Sequence, residues 1–325
     1  MAACIDNPKG EPANKWCRLR SSERLACCSL CRFAKVCGPS FSNLVSCRAI
    51  NWVSVKIPDT TVCPCDEDED EDEDDLWVKI REEAQSDAKQ EPILLNYYYS
   101  LVLSHSSLEI ALANHLAMKL SNSTLSRDAV FKVFLEAFAQ DHEIKRAISD
   151  DTKATRQRDP ACISYVHCFL HFKGFQACQA HRAAHKLWSQ GRLSLALLIQ
   201  SRVSEVFAVD IHPAAKIGRG IVLDHATGIV IGETAVIGDN VTILHNVTLG
   251  GTGNVSGDRH PKIGNGVLIG AGTKILGNIR VGEGAKIGAG SLVLKEVPPH
   301  STAVGNPARV LTTPTAQANR EHSHQ

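Results

Sequence analysis

The sequence has no excess of charge: 35 Lys and Arg are matched by 35 Asp and Glu, and the pI is near 7.2. It therefore offers no global basic field to draw nucleic acid. Long apolar runs are also missing, and Leu193 to Ile199 falls far short of the roughly 20 residues of a membrane helix. Nine of the twelve cysteines precede residue 66 and none lies between Val209 and His300, so the later chain fits a reducing compartment. No histidine precedes His105. That lack weighs against zinc at Cys27-Cys28-x-x-Cys31, Cys37 and Cys63-Pro-Cys65, and no metal is expected.

Residues 1–85 read as a disordered, Cys-rich and acidic tail. Its start lacks the apolar core of a secretory signal, and residues 12–58, with Glu23 as their one acid, faintly resemble a transit segment. The expected location is cytoplasmic, with plastid or mitochondrion as the alternative. Asp66 to Asp75 is an unbroken run of ten carboxylates, which repel one another and favour a solvated linker. Removal of residues 1–80 is accordingly expected to leave the solenoid folded and oligomeric.

Residues 86–208 carry helical spacing. Ser107 precedes Ile110, Leu112, Leu116 and Leu120, and Ser126 caps a stripe of Val130, Val133, Phe134, Ala137 and Phe138. Further helices are expected over Gly174 to Ser189 and Leu193 to Val206. Asp159 precedes Pro160 and is expected at a helix break, where the plain reading is an N-cap of the next helix.

From Ile211 the pattern changes. Aliphatic residues recur every six positions as Ile211, Ile217, Leu223 and Ile229. A slip of two follows, and they resume as Ile231, Ile237, Ile243 and Leu249, then as Ile263, Ile269, Ile275, Val281, Ile287 and Val293. No single helix or alternating strand holds that period, so residues 209–300 are expected to form a solenoid. Three short strands per coil of about 18 residues would close a triangular prism. Residues 301–325 read as a C-terminal tail.

Two irregularities interrupt the ladder. Asp210 and the Asp224-His225-Ala226-Thr227-Gly228 segment put a carboxylate and an imidazole about one coil apart, a spacing that permits an acid-supported base. Between Leu249 and Ile263 the chain takes fourteen residues where a hexad takes six, so eight loop out. That loop is rich in glycine and carries Arg259 and His260, which could hold a carboxylate.

These segments, with Arg158-Asp159-Pro160-Ala161, Lys173-Gly174-Phe175, Gln179-Ala180-His181-Arg182, Val209 to Ala214, Leu223 to Glu233, Gly257 to Pro261 and Gly270 to Gly272, resemble the serine O-acetyltransferases of cysteine biosynthesis, particularly plant forms. The resemblance implies an α+β fold, an N-terminal helical domain followed by a left-handed parallel β-helix. It implies acetyl transfer from acetyl-CoA to the L-serine hydroxyl, with His225 as general base and Asp210 orienting it. Asp159 and Asp224 match carboxylates that position serine, Arg259 and His260 match residues near its carboxylate, and Glu233 matches another acid of the pocket. Gly251, Ala271 and Ala289 match places where the pantetheine arm passes, with Lys274 and Lys286 near the nucleotide phosphates.

The resemblance further implies a homotrimer assembling into a hexamer. It also implies O-acetylserine sulfhydrylase as a partner through a C-terminal isoleucine, whereas this chain ends in Gln325. The competing readings are a related hexapeptide acyltransferase with another small acceptor, and a weakly active scaffold subunit.

Overall fold

The computed structural model describes residues 73–253 and 256–311. The early cysteines, the transit-like segment, most of the acidic run and residues 312–325 lie outside the described residues.

Among the described residues eight α-helices precede the strands: α1 (Glu73–Gln90), α2 (Leu95–Tyr98), α3 (Leu108–Leu120), α4 (Arg127–Ala139), α5 (His142–Arg158), α6 (Tyr165–His171), α7 (Lys173–Ser189) and α8 (Leu193–Phe207). Ser107, Ser126, Asp141 and Ser164 accept hydrogen bonds from backbone N–H groups in the first turns of α3, α4, α5 and α6, which satisfies donors that each helix leaves open. Two expectations are corrected here. The helical block does not begin at 86, because α1 crosses that point and buries Leu76, Trp77, Ile80 and Ala84 at helical spacing. Asp159 does not open a helix either. It closes α5, donating its N–H to Thr155, while its carboxylate accepts from the N–H of Ala161; the next N-cap is Ser164.

Helix α8 ends on Ala208, a left-handed cap at φ 56°, and the chain turns directly into the solenoid. Its strands form three sheets. The first contains β1 (Val209–Ile211), β4 (Ile229–Ile231), β7 (Thr248–Gly250), β10 (Lys274–Leu276) and β13 (Leu292–Val293) in that order. The second contains β2 (Lys216–Ile217), β5 (Val236–Ile237), β8 (Lys262–Ile263) and β11 (Arg280–Val281). The third contains β3 (Val222–Asp224), β6 (Thr242–Leu244), β9 (Leu268–Ile269), β12 (Lys286–Ile287), β14 (Thr302–Gly305) and β15 (Ala308–Val310). All pairings are parallel except β14 with β15, so residues 302–310 add a hairpin where the sequence suggested only a tail.

The prism is filled by the hexad residues, among them Ile211, Ile231, Ile243, Ile263, Ile275 and Ile287, each no more than 3% exposed. No Phe, Tyr or Trp occurs from Val209 to His300; a prism closed by two- and three-residue strands is filled by branched aliphatic chains. Register explains the irregularities. Ile211 pairs with Ile231, twenty positions on, so the first coil carries two extra residues. Val236 pairs with Lys262, twenty-six on, which places the eight-residue excess at the turn before β8. Later coils keep eighteen, as Lys262 with Arg280 and Lys274 with Leu292.

Candidate active site

The two extra residues of the first coil lie at the corner between the third and first sheets. His225 and Ala226 both adopt φ near +55°, a costly conformation for residues with a Cβ. Backbone bonds hold the turn: Ala226 N–H to the Asp224 carbonyl at 2.6 Å, Thr227 N–H to that of His225 at 2.7 Å, and Gly228 N–H to that of Ala208 at 2.8 Å. Helix α7 backs it from the outside. A Cβ on Gly174 would come within 2.0 Å of the Leu223 carbonyl oxygen, so only glycine allows this approach. Lys173, beside it, donates from Nζ to Thr227 Oγ1. The result is a His225 side chain 75% exposed, its Nε2 3.7 Å from Asp224 Oδ1. An exposed imidazole beside a carboxylate can accept a substrate proton.

The same corner continues up the prism. Asn246 N–H bonds the Thr227 carbonyl, Gly272 N–H that of His245, and Gly290 N–H that of Ala271, at 2.8 to 2.9 Å. Thus His225, His245, Ala271 and Ala289 occupy successive coils of one edge. His245, which sequence reasoning missed, sets its ring 5.8 Å from that of His225 at 77°. Its Nδ1 is buried without a hydrogen-bond partner. Orphaned buried N–H groups are rarer than orphaned acceptors, which favours the proton on Nε2. The signal for His245 was available, because it lies two residues after Ile243, as His225 lies two after Leu223.

Arg259 and His260 sit at the other end of the first sheet, at its corner with the second. Arg259 pairs with Glu233 at 2.7 Å, and this hydrogen bond holds the Glu233 carboxyl below the usual range. Thr234 organises His260: its backbone N–H donates to Nδ1 at 3.2 Å and its hydroxyl lies 2.8 Å from the same atom. That hydroxyl oxygen also accepts from the N–H groups of Arg259 and His260. His260 is therefore a neutral imidazole with Nε2–H as the outward donor. Burial, then the Arg259 charge, lowers its pKa. A Cβ at Gly232 would lie 1.9 Å from that Nε2, and one at Gly251 would lie 3.1 Å from Arg259 Cγ. Thr234 was also missed, since a threonine in a turn carries no distinctive pattern.

Asp210 lies at the middle of β1, between the two corners. Burial lowers the pKa of His212, and the charges of Glu233 and Asp210 act against that shift. Asp210 Oδ1 accepts from Gln200 Nε2 at 2.7 Å. Among the described residues no hydrogen bond or ion pair joins Asp210 to His225, so the pairing that their spacing permits is not made within one chain. Asp210 faces Val230 across the β1 and β4 pair, and His225 lies at the corner before β4. Nor does any such contact join His225 to Arg259, His260 or Glu233 among the described residues. Asp159 follows Arg158, which anchors α5 on the Gly220 carbonyl and Asn240 Oδ1 near the start of β3, the strand that ends in Asp224. Lys274 and Lys286 are exposed on β10 and β12. One chain thus carries two separate groups of side chains on the two edges of the first sheet.

Two family models match the sequence: the N-terminal region of serine acetyltransferase over residues 76–180, and the bacterial transferase hexapeptide repeat over residues 260–295. Serine acetyltransferase 1, chloroplastic, of Arabidopsis thaliana is 67% identical over 237 residues, which is 73% of this chain and 76% of that protein. The soybean serine acetyltransferase structure complexed with serine is 63% identical, with a TM-score of 0.71, over 73% of this chain and 97% of that one. The serine acetyltransferase of Brucella abortus strain S19 in complex with coenzyme A is 49% identical, with a TM-score of 0.71, over 73% and 94% of the two chains.

Proposed function

Because the chain belongs to the serine acetyltransferase family, we propose a mechanism in which neighbouring prisms of a homo-oligomer complete each other's sites. The chain is an acyltransferase that moves the acetyl group of acetyl-CoA to the hydroxyl of L-serine, giving O-acetyl-L-serine and CoA in the route to L-cysteine.

The observation that carries the mechanism is the split of the site. His225 and Asp224 stand on one edge of the first sheet, Glu233, Arg259 and His260 stand on the other, and Asp210 lies mid-strand between them. A threefold arrangement that lays one edge against the other edge of a neighbour brings the base to its carboxylate and the serine amino end to the serine carboxylate end. Arg259 and the His260 Nε2–H then hold the substrate carboxylate, and Asp159 and Asp224 hold the ammonium. Asp210 of the neighbour orients His225 and stabilises the imidazolium it becomes.

His225 takes the proton from serine Oγ as that oxygen attacks the thioester carbonyl. The oxyanion forms on the corner that bears His245, whose outward Nε2–H is a suitable donor. Collapse breaks the carbon–sulfur bond, and the imidazolium returns the proton to the CoA thiolate. Acetyl-CoA is the co-substrate. It lies along the edge of Ala271 and Ala289, where small side chains leave room for the pantetheine arm, against Gly251 of the adjoining edge. Lys274 and Lys286 attract the phosphates.

The helical block joins two trimers into a hexamer. O-acetylserine sulfhydrylase is a candidate partner, against which the Gln325 terminus counts. The chloroplastic Arabidopsis relative supports an organelle over the cytoplasm, which a fluorescent fusion of the full chain tests.

The test of the mechanism is thiol release from acetyl-CoA with and without L-serine. Release depends on serine, and His225→Ala lowers it at least about a hundredfold. Mixing His225→Ala with Asp210→Ala chains restores part of the activity, because a mixed oligomer regains intact sites at some edges. No recovery on mixing would overturn the shared site.

A further inference from the structure

A side chain of the helical domain bonds the carboxylate of Asp210. We infer that Gln200 on α8 is a positioning residue for Asp210, holding that carboxylate in the rotation its partner imidazole needs. The inference rests on the reading of Asp210 as the acid behind the catalytic base.

Gln200 Nε2 donates to Asp210 Oδ1 at 2.7 Å across a partly buried contact. An ionised carboxylate only accepts, so the amide must turn its NH2 toward it, and the assignment of nitrogen and oxygen follows from the chemistry. Oδ2 has no hydrogen-bond partner among the described residues, and it is the oxygen left for an imidazole N–H. The two side chains share a cleft with Leu197, Ser201, Ser204 and Glu205 of α8.

The backbone makes this contact rigid. Ala208 caps α8 in the left-handed region and gives its N–H to the Ser204 carbonyl. Its own carbonyl accepts from Gly228 N–H at 2.8 Å, at the end of the turn that carries His225. The last turns of α8, the start of β1 and the His225 corner are therefore fixed to one another. Gln200 lies ten residues before Asp210 and reaches over the junction.

A neutral donor suits this task. Lysine or arginine in its place would neutralise Asp210 and weaken its hold on an imidazolium. An amide fixes the torsion of the carboxylate and leaves its full charge available. Glu205, which also lines the cleft, is paired with Arg202, so no free cation of α8 competes for Asp210 there among the described residues.

The experiment compares full-length Gln200→Leu, Gln200→Glu and Asp210→Ala with the parent by steady-state thiol release, thermal midpoint and oligomer size. Gln200→Leu is expected to lower kcat about 10- to 100-fold, with KM for serine and acetyl-CoA changed by less than about twofold and the thermal midpoint retained. Gln200→Glu is expected to move the acid limb of the kcat profile to higher pH, because two carboxylates at hydrogen-bond distance share a proton. Parent-like kcat in Gln200→Leu beside an impaired Asp210→Ala overturns the role of Gln200 alone. A fall in kcat that tracks a lower thermal midpoint, with no pH shift in Gln200→Glu, makes the residue structural and overturns it as well. A fully active Asp210→Ala instead overturns the underlying reading of the acid.

Discussion

Arg182 of α7 and Asp151 of α5 are paired at 2.6 Å, with side chains 8% and 0% exposed. The carboxylate also accepts from Gln179 Nε2 and from the Ile221 N–H, both at 2.8 Å, while the guanidinium donates to the Gly218 carbonyl. This pair rivets the helical block to the turn before β3. Arg182→Met leaves a fully buried carboxylate without its countercharge, which costs about 3–5 kcal/mol. Chemical denaturation followed by circular dichroism is the measurement. A shift equivalent to less than about 1 kcal/mol would mean that water reaches Asp151.

Gly174 gives a second prediction. Its replacement by alanine puts a methyl into the Leu223 carbonyl, so α7 must move off β3 and take Lys173 away from Thr227. Overpacking of this kind costs about 1–3 kcal/mol, and kcat is expected to fall with it. Unchanged activity in Gly174→Ala would show that the His225 turn holds its shape without α7.

Two buried histidines predict a pH dependence. Burial pushes the imidazoles of His115 and His181 down to about 3, well below the ordinary value of 6.5. Both stay neutral in the fold while the unfolded chain takes up protons. The stability they contribute is fully present above pH 6.5 and is lost progressively as pH falls toward 3, by a few kcal/mol in order of magnitude. Denaturation midpoints between pH 7 and 5 read this before most carboxylates titrate. His181→Leu should flatten the slope, and an identical slope in this variant would assign the effect elsewhere.

Truncation separates tail from core. Deleting residues 1–72 should leave oligomer size and thermal midpoint unchanged on gel filtration and calorimetry. Deleting residues 1–80 removes Leu76, Trp77 and Ile80 from the core and should lower the midpoint markedly. Equal behaviour of the two truncations would mean that α1 contributes little.

The solenoid was legible because its period of six is dictated by the prism, and every hexad position named from Ile211 to Val293 except Ile217 is buried. Ile217 is half-buried and packs against the core. The start of α1 was obscured because Leu76, Trp77, Ile80 and Ala84 follow directly on carboxylates, whose charge outweighs a four-residue stripe in any average. Acidic residues in a first turn are favourable, so the run that read as a linker in part leads into a helix. At Asp210 and His225 chain separation permits a pairing without fixing it, since proximity in a coil depends on which corner a residue occupies. His245 was legible only by comparing its hexad offset with that of His225, and Thr234 was not legible, because it gains its meaning from local hydrogen bonds to Arg259 and His260.

The unequal coil lengths carry one more consequence. Above and below the loop of residues 250–261 the strands resume their pairing without a fault, as Val236 with Lys262 and Thr242 with Leu268. A prism of this kind stores its register in the strands and its length in the corners. Corner segments are thus interchangeable parts, and acceptor choice in such a scaffold can be rewritten by exchanging a loop without recomposing the core.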